Sequence, residues 1–213
     1  MEYKVTYYPD FEEKINILSH GLGAVLSVVA LPFLINKASK TEDNTVVLSI
    51  AIYGVSMVVL YLASTLYHSA IDKKFRYYLN IFDHSAIYVL IAGTYAPVAL
   101  IVLQGSLGWL VFGLSWGFAF LGILFKIFFI GRFRVASIVM YVAMGWMLVF
   151  AFKPLLQNFS VIGLKMFALG GVSYSIGALF YGLKKVPYNH AIFHLFVLIG
   201  SLFHFIAIYS HVL

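Results

Sequence analysis

The chain contains no cysteine, which excludes disulfides and thiolate metal ligands and leaves the redox state of its compartment undetermined. Charge is almost as scarce. Only 10% of the 213 residues are charged, against 62% hydrophobic and 18% aromatic. A soluble domain averages about 25% charged residues, so this composition excludes a water-exposed fold and marks an integral membrane protein. A cleavable signal is also not expected. The opening MEYKVTYYPDFEEKIN is polar and acidic, and the apolar run after it, Ile17–Ile35, is too long for a signal-peptide core. With no internal repeat, low-complexity tract or soluble segment, function has to be built from helices and their ends.

A hydrocarbon core of about 30 Å takes roughly 20 apolar residues per helix. Seven runs meet or approach that length: Ile17–Ile35, Val46–Ala70, Tyr78–Leu103, Leu107–Ile130, Val135–Phe152, Ser160–Leu183 and Pro187–Leu213. None shows the polar/apolar alternation of a membrane barrel. The expected fold is therefore all-α, one seven-transmembrane helix bundle over residues 1–213. The fifth run is short and is expected to end at Lys153–Pro154. Gly105–Ser106 and Pro154 read as turn chemistry, and Pro187 as a helix-start residue. Gly23/Ser27 and Ser173/Gly177 read as helix-packing faces.

Lys and Arg accumulate on the cytoplasmic side of short loops. With seven spans, one side holds Lys4, Lys14, Lys73, Lys74, Arg76, Lys126, Arg132, Arg134, Lys184 and Lys185, and the other only Lys37, Lys40, Lys153 and Lys165. The N-terminus is therefore expected in the cytoplasm and the C-terminus outside. The same rule, with anionic lipid headgroups, accounts for the net charge of +6. Nucleic-acid binding has no support.

Polar residues inside apolar runs carry the functional information, because an Asp at a helix centre costs roughly 2.5–3.5 kcal/mol to insert. Seven acids (Glu2, Asp10, Glu12, Glu13, Glu42, Asp43 and Asp72) fall in the N-terminal segment or in loops, leaving Asp83 alone within a span. His68 ends the second span, Asp83 lies a turn or two into the third, and His190 and His194 open the seventh. Alternating helix direction brings these four groups to one membrane level. Residues four apart on a helix face the same way, so His190 and His194 can share one ion. An HxxxH pair alone is equally compatible with a metal, a proton relay or interhelical hydrogen bonds. Joined to His68 it supplies three imidazoles, the ligand set of catalytic zinc with water in the fourth position. Asp83 could hold that water or orient a histidine, and Ser64 lies one turn deeper than His68 on the same face. A Ser64–His68–Asp83 hydrolase triad would leave His190 and His194 unexplained, Ser64 does not stand in a G-x-S-x-G, and HExxH does not occur. His204 and His84 read as packed or hydrogen-bonded histidines.

The segments EKINILSH (Glu13, Asn16, His20), STLYH (Ser64, His68), FDHSAIYVLIAGTYAP (Asp83) and HAIFH (His190, His194) together resemble the hemolysin III family, the bacterial branch of the progestin and adiponectin receptor superfamily. The resemblance spans nearly the whole chain. It implies a seven-helix fold with a cytoplasmic N-terminus, and zinc held by His68, His190 and His194. It places Asp83 in contact through water and Ser64 close by. Glu13, Asn16 and His20 are expected to support the site, capping the first helix and bonding across to the last one or to the cytoplasmic rim.

Relatives of this kind include ceramidases and receptors with hydrolase character. The leading expectation is a plasma-membrane, zinc-dependent hydrolase of a lipid amide or ester. Its expected partners are membrane lipids, with a ceramide-like lipid as substrate, Asp83 as general base and Ser64 stabilising the oxyanion. The alternatives are a receptor or sensor with structural zinc, and the pore-forming haemolytic toxin of the family name.

Overall fold

The computed structural model describes residue 3 and residues 5–213; Glu2 and Lys4 of the charge count lie outside the described residues. Among the described residues eight α-helices make seven spans: α1 (Asp10–Ser39), α2 (Asn44–Ser69), α3 (Lys73–Pro97), α4 (Gly105–Phe129), α5 (Arg134–Gly145) with α6 (Phe152–Asn158), α7 (Val161–Gly182) and α8 (Asn189–His211). Lipid offers the backbone no hydrogen-bond partners, so each span satisfies its own N–H and C=O groups as a helix. All seven are long and apolar enough to cross a bilayer. The protein is a multi-pass membrane protein.

Side chains set the helix starts. Asp43 accepts from Thr45 N at 2.7 Å, Asp72 from Phe75 N at 2.8 Å, and Ser160 from Gly163 N at 3.0 Å, each satisfying an otherwise orphaned amide. Connections of a few residues force neighbouring helices antiparallel. The N-terminal segment, the ends of α2, α4 and α7, and the starts of α3, α5 and α8 consequently share one face, called here the N-terminal face. α3 is central, with 67% of its apolar window buried against 22–50% for the other spans.

Several boundaries depart from the sequence reading. α1 begins at Asp10 rather than Ile17, so Glu12 and Glu13 belong to the first helix and not to a preceding loop. The missing N–H of Pro97 interrupts the α3 ladder, and the chain continues as a π-helix, Val98–Leu103, closed by Gln104 N on Ala99 O at 3.0 Å. α4 packs directly over that turn. A Cβ at Gly108 would strike the Ala99 carbonyl oxygen, so only glycine fits there.

The fifth span does not end at Lys153–Pro154. It runs from Arg134 to Asn158, broken by a 3₁₀ segment at Met147–Ala151. Tyr95 of α3 stabilises the break, its hydroxyl lying 2.8 Å from Met144 O and 2.5 Å from Gly145 O, two carbonyls next to the break. Pro154 falls in the first turn of α6, where a missing N–H costs nothing. Pro187 precedes α8 in a turn and is not its first residue; Tyr188 is the N-cap, in the left-handed region at φ 55°. Gly23 abuts the Tyr61 ring, and Gly177 abuts Phe196 and Phe193, in keeping with small-residue packing faces.

Candidate metal centre

His68, in the last turn of α2, and His190 and His194, in the first two turns of α8, are buried and meet at the N-terminal face. His190 Nε2 lies 3.1 Å from His68 Nε2 and 3.0 Å from His194 Nε2. The helix that carries the pair is fixed from outside itself. Glu12 Oε1 of α1 accepts from the backbone N–H groups of His190 (3.2 Å) and Ala191 (3.4 Å). A carboxylate thus occupies the positive end of the α8 dipole and satisfies orphan donors.

The protonation pattern tests whether this trio suits a metal. His68 Nδ1 is 2.6 Å from Glu13 Oε2, and an ionised carboxylate only accepts, so Nδ1 carries the proton. In a neutral ring, His68 Nε2 is then a bare lone pair aimed at the other two rings. One proton on His190 Nε2 can serve only one neighbour in good geometry, so protons alone leave a nitrogen pair facing without a bridge. A cation satisfies all three lone pairs at once. Tetrahedral zinc at 2.0–2.1 Å from each nitrogen would hold them ~3.3 Å apart, close to the distances found. These three residues could hold a metal ion.

A ring of contacts holds the trio in place. Arg76, buried at the start of α3, pairs through Nη2 with Glu13 Oε1. Its other donors reach Thr6 O (2.9 Å), His68 O (3.3 Å) and Ala70 O (3.0 Å). The guanidinium sits 4.4 Å from the Tyr7 ring and 4.7 Å from that of Tyr67. Four of the five Arg76 donors are engaged, and its positive charge beside Glu13 favours the ionised carboxylate that accepts from His68. His20 stacks on His194 with centroids 3.6 Å apart, and the Asn16 amide stands 3.5 Å from His68 Nδ1. Tyr8 covers the site from the N-terminal segment, its ring stacked on His190 at 4.4 Å. Burial pushes its phenol well above the ordinary range, so it stays neutral.

Below the trio a cavity of about 100 Å³ extends into the bundle, lined by His190, His194, Ser64 and Asp83 and walled by Leu60, Ile87, Leu90, Phe193 and Val197, among others. Ser64 Oγ is buried without a hydrogen-bond partner. Asp83 Oδ2 lies 3.4 Å from His84 Nδ1. His84 faces the same cavity and bonds to Tyr181 Oη (3.2 Å) and Asn80 O (2.9 Å).

All the singled-out residues therefore gather at one end of the bundle, with differences in detail. Glu13 orients His68, while Asp83 lies on the cavity wall. No side chain caps α1 at Pro9, although Glu13 Oε1 accepts from Tyr8 N at 3.3 Å. Glu12, Arg76 and Tyr8 were missed. The signal for the two glutamates was present: Pro9 followed by three acids in DFEE reads as a helix start, which would have moved both into α1. Arg76 reads in the sequence as one more loop charge, and nothing local marks it as buried.

The sequence matches the family described as haemolysin-III related over residues 10–205. It is 47% identical to Hemolysin-3 of Bacillus cereus over 215 aligned residues, covering 100% of this chain and 98% of that one. It is 49% identical to the Hemolysin-3 homolog of Bacillus subtilis (strain 168) over 89% of each chain. The human monocyte to macrophage differentiation factor is 28% identical over 98% of this chain and 87% of its own. A seven-span bundle with this histidine cluster and these relatives has one family assignment: the chain belongs to the haemolysin III family, within the progestin and adiponectin receptor superfamily.

Proposed function

We propose that the protein is a zinc-dependent hydrolase of the plasma membrane that cleaves an amide or ester bond in a ceramide-like lipid, with its N-terminal face in the cytoplasm. One observation carries the reading: two members of a trio able to bind metal, His190 and His194, line an apolar cavity that also holds an unpartnered hydroxyl, Ser64, and a carboxylate, Asp83. His68, His190 and His194 would hold the zinc, which when bound would polarise a carbonyl and lower the pKa of water toward about 7. Asp83 takes the proton of the attacking water and returns it to the departing amine or alkoxide, so proton and leaving group balance. Ser64 donates its O–H to the carbonyl oxygen as charge develops there. The apolar walls hold the chain of the lipid and exclude bulk water. The orientation rests on the charges, since Lys14, Lys73, Lys74, Arg132, Lys184 and Lys185 belong to the N-terminal face and only Lys37, Lys40, Lys153 and Lys165 to the other.

The test is incubation of purified, zinc-loaded protein with a panel of ceramides and lipid esters. The wild type is expected to release fatty acid, and Asp83→Asn to keep its zinc while losing at least ~100-fold in turnover. Zinc retention with no turnover of any lipid would contradict the hydrolase and favour a receptor or sensor with structural metal. Dye release from liposomes that survives loss of all three histidines would favour a pore.

A further inference from the structure

The far end of the cavity is polar, and one atom there has no partner. α8 lines the cavity with a heptad-spaced stripe that starts at His190 and His194, continues through Val197 and ends at His204. Along the helix His204 is ten residues past His194, about 15 Å deeper. His204 is 6% exposed. Its Nε2 lies 3.0 Å from Phe167 O; a carbonyl only accepts, so Nε2 carries the proton and Nδ1 is a bare acceptor. That Nδ1 is buried and has no hydrogen-bond partner. The Cδ2–Nε2 edge of the ring presses on Gly170, where a Cβ would overlap it, and the Phe167 ring covers one face at 4.3 Å. The Nδ1 edge therefore lies on the side of the ring away from Gly170, and His204 as a whole is part of the cavity lining. The polar groups around it are already paired: Thr94 with Leu90 O, Tyr95 with the α5 carbonyls, Trp146 with Ser175, and Tyr174 with Ser201.

An unpaired buried acceptor costs about 1–3 kcal/mol, and a ligand donor at that point removes the cost. We propose that the cavity takes an acyl chain bearing a hydroxyl deep in its apolar part, which donates to His204 Nδ1. This rests on the reading of the cavity as a lipid site and names the chain class it selects. An extended chain advances about 1.2 Å per bond, so ~15 Å corresponds to roughly a dozen bonds between the carboxyl end at the histidine trio and the hydroxyl.

The experiment is competition for the purified protein between octadecanoic and 12-hydroxyoctadecanoic acid, supplied in equal amounts in detergent, with the co-purifying ratio read by mass spectrometry. One good hydrogen bond predicts about fivefold enrichment of the hydroxy acid, absent in His204→Phe, which keeps the ring stack on Phe167. Equal retention by the wild type overturns the inference and leaves the lipid site standing. Enrichment that persists in His204→Phe overturns the role of His204. Retention of neither acid overturns the lipid-cavity reading itself. Should His204→Phe fail to fold, 6-hydroxyoctadecanoic acid in the wild type replaces it: no enrichment is expected, and enrichment equal to that of the 12-hydroxy isomer refutes the assignment.

Discussion

Replacing Glu13 by glutamine tests the idea that a carboxylate holds His68 in its metal-binding form. The carboxylate serves three donors at once: Oε1 takes Arg76 Nη2 and Tyr8 N, and Oε2 takes His68 Nδ1 at 2.6 Å. An amide of the same shape has only one oxygen. If that oxygen stays with Arg76, the amide NH₂ faces His68 Nδ1, which then gives up its proton, and the ring shifts to the tautomer with N–H on Nε2. That nitrogen can no longer bind a metal. If the oxygen turns to His68, the NH₂ opposes the guanidinium. A hydrogen bond to a charged group is worth about 1.5–3 kcal/mol, and groups that orient metal ligands typically contribute 10–100-fold in affinity. At about 1.4 kcal/mol per factor of ten the two ranges agree. Glu13→Gln is therefore expected to weaken zinc binding by about 10–100-fold in competition with a chromophoric chelator, and to lower the melting temperature of the metal-free protein as well, because buried Arg76 loses its counter-charge. Affinity within twofold of wild type would refute the tautomer argument.

Glu12→Gln weakens the cap on α8, and should lower thermal stability by about 1 kcal/mol and metal affinity with it; unchanged melting in detergent would remove Glu12 from the account. Tyr95→Phe strips the shared donor from the Met144 and Gly145 carbonyls and should cost about 1–3 kcal/mol in a melting experiment. Gly108→Ala drives a methyl group into the Ala99 carbonyl and should cost more than about 1 kcal/mol, whereas Gly113→Ala on the same helix, with open space around it, should be neutral or stabilising. Chelation should lower the melting temperature of the wild type and leave the triple-histidine variant unchanged, because a ligand stabilises only the state that binds it.

The bundle was legible because a bilayer allows a long apolar run only one solution, and alternating helix directions then fixed which ends share a face. His68, His190 and His194 were legible for the same reason: three polar side chains at one depth in apolar runs need a common purpose. What the sequence did not reveal depends on contacts between distant residues. The break after Gly145 relies on a hydroxyl from α3 taking the carbonyls beside it. Arg76 is buried because four acceptors and two aromatic rings converge on it, and only folding assembles them. Glu12 and Glu13 look like solvated charges until α1 is extended to Asp10, when both turn toward the histidines. His204 is packed and hydrogen-bonded, as its place in the sequence suggests, but its second nitrogen and its place on the cavity wall follow only from the crossing of α7 and α8.

The central claim, that the three histidines form a metal centre, is tested most directly by elemental analysis of protein purified without chelators. The account predicts about one zinc per chain in the wild type and none in the variant carrying His68→Ala, His190→Ala and His194→Ala. Stoichiometric zinc in that variant, or none in a folded wild type supplied with zinc, would contradict it.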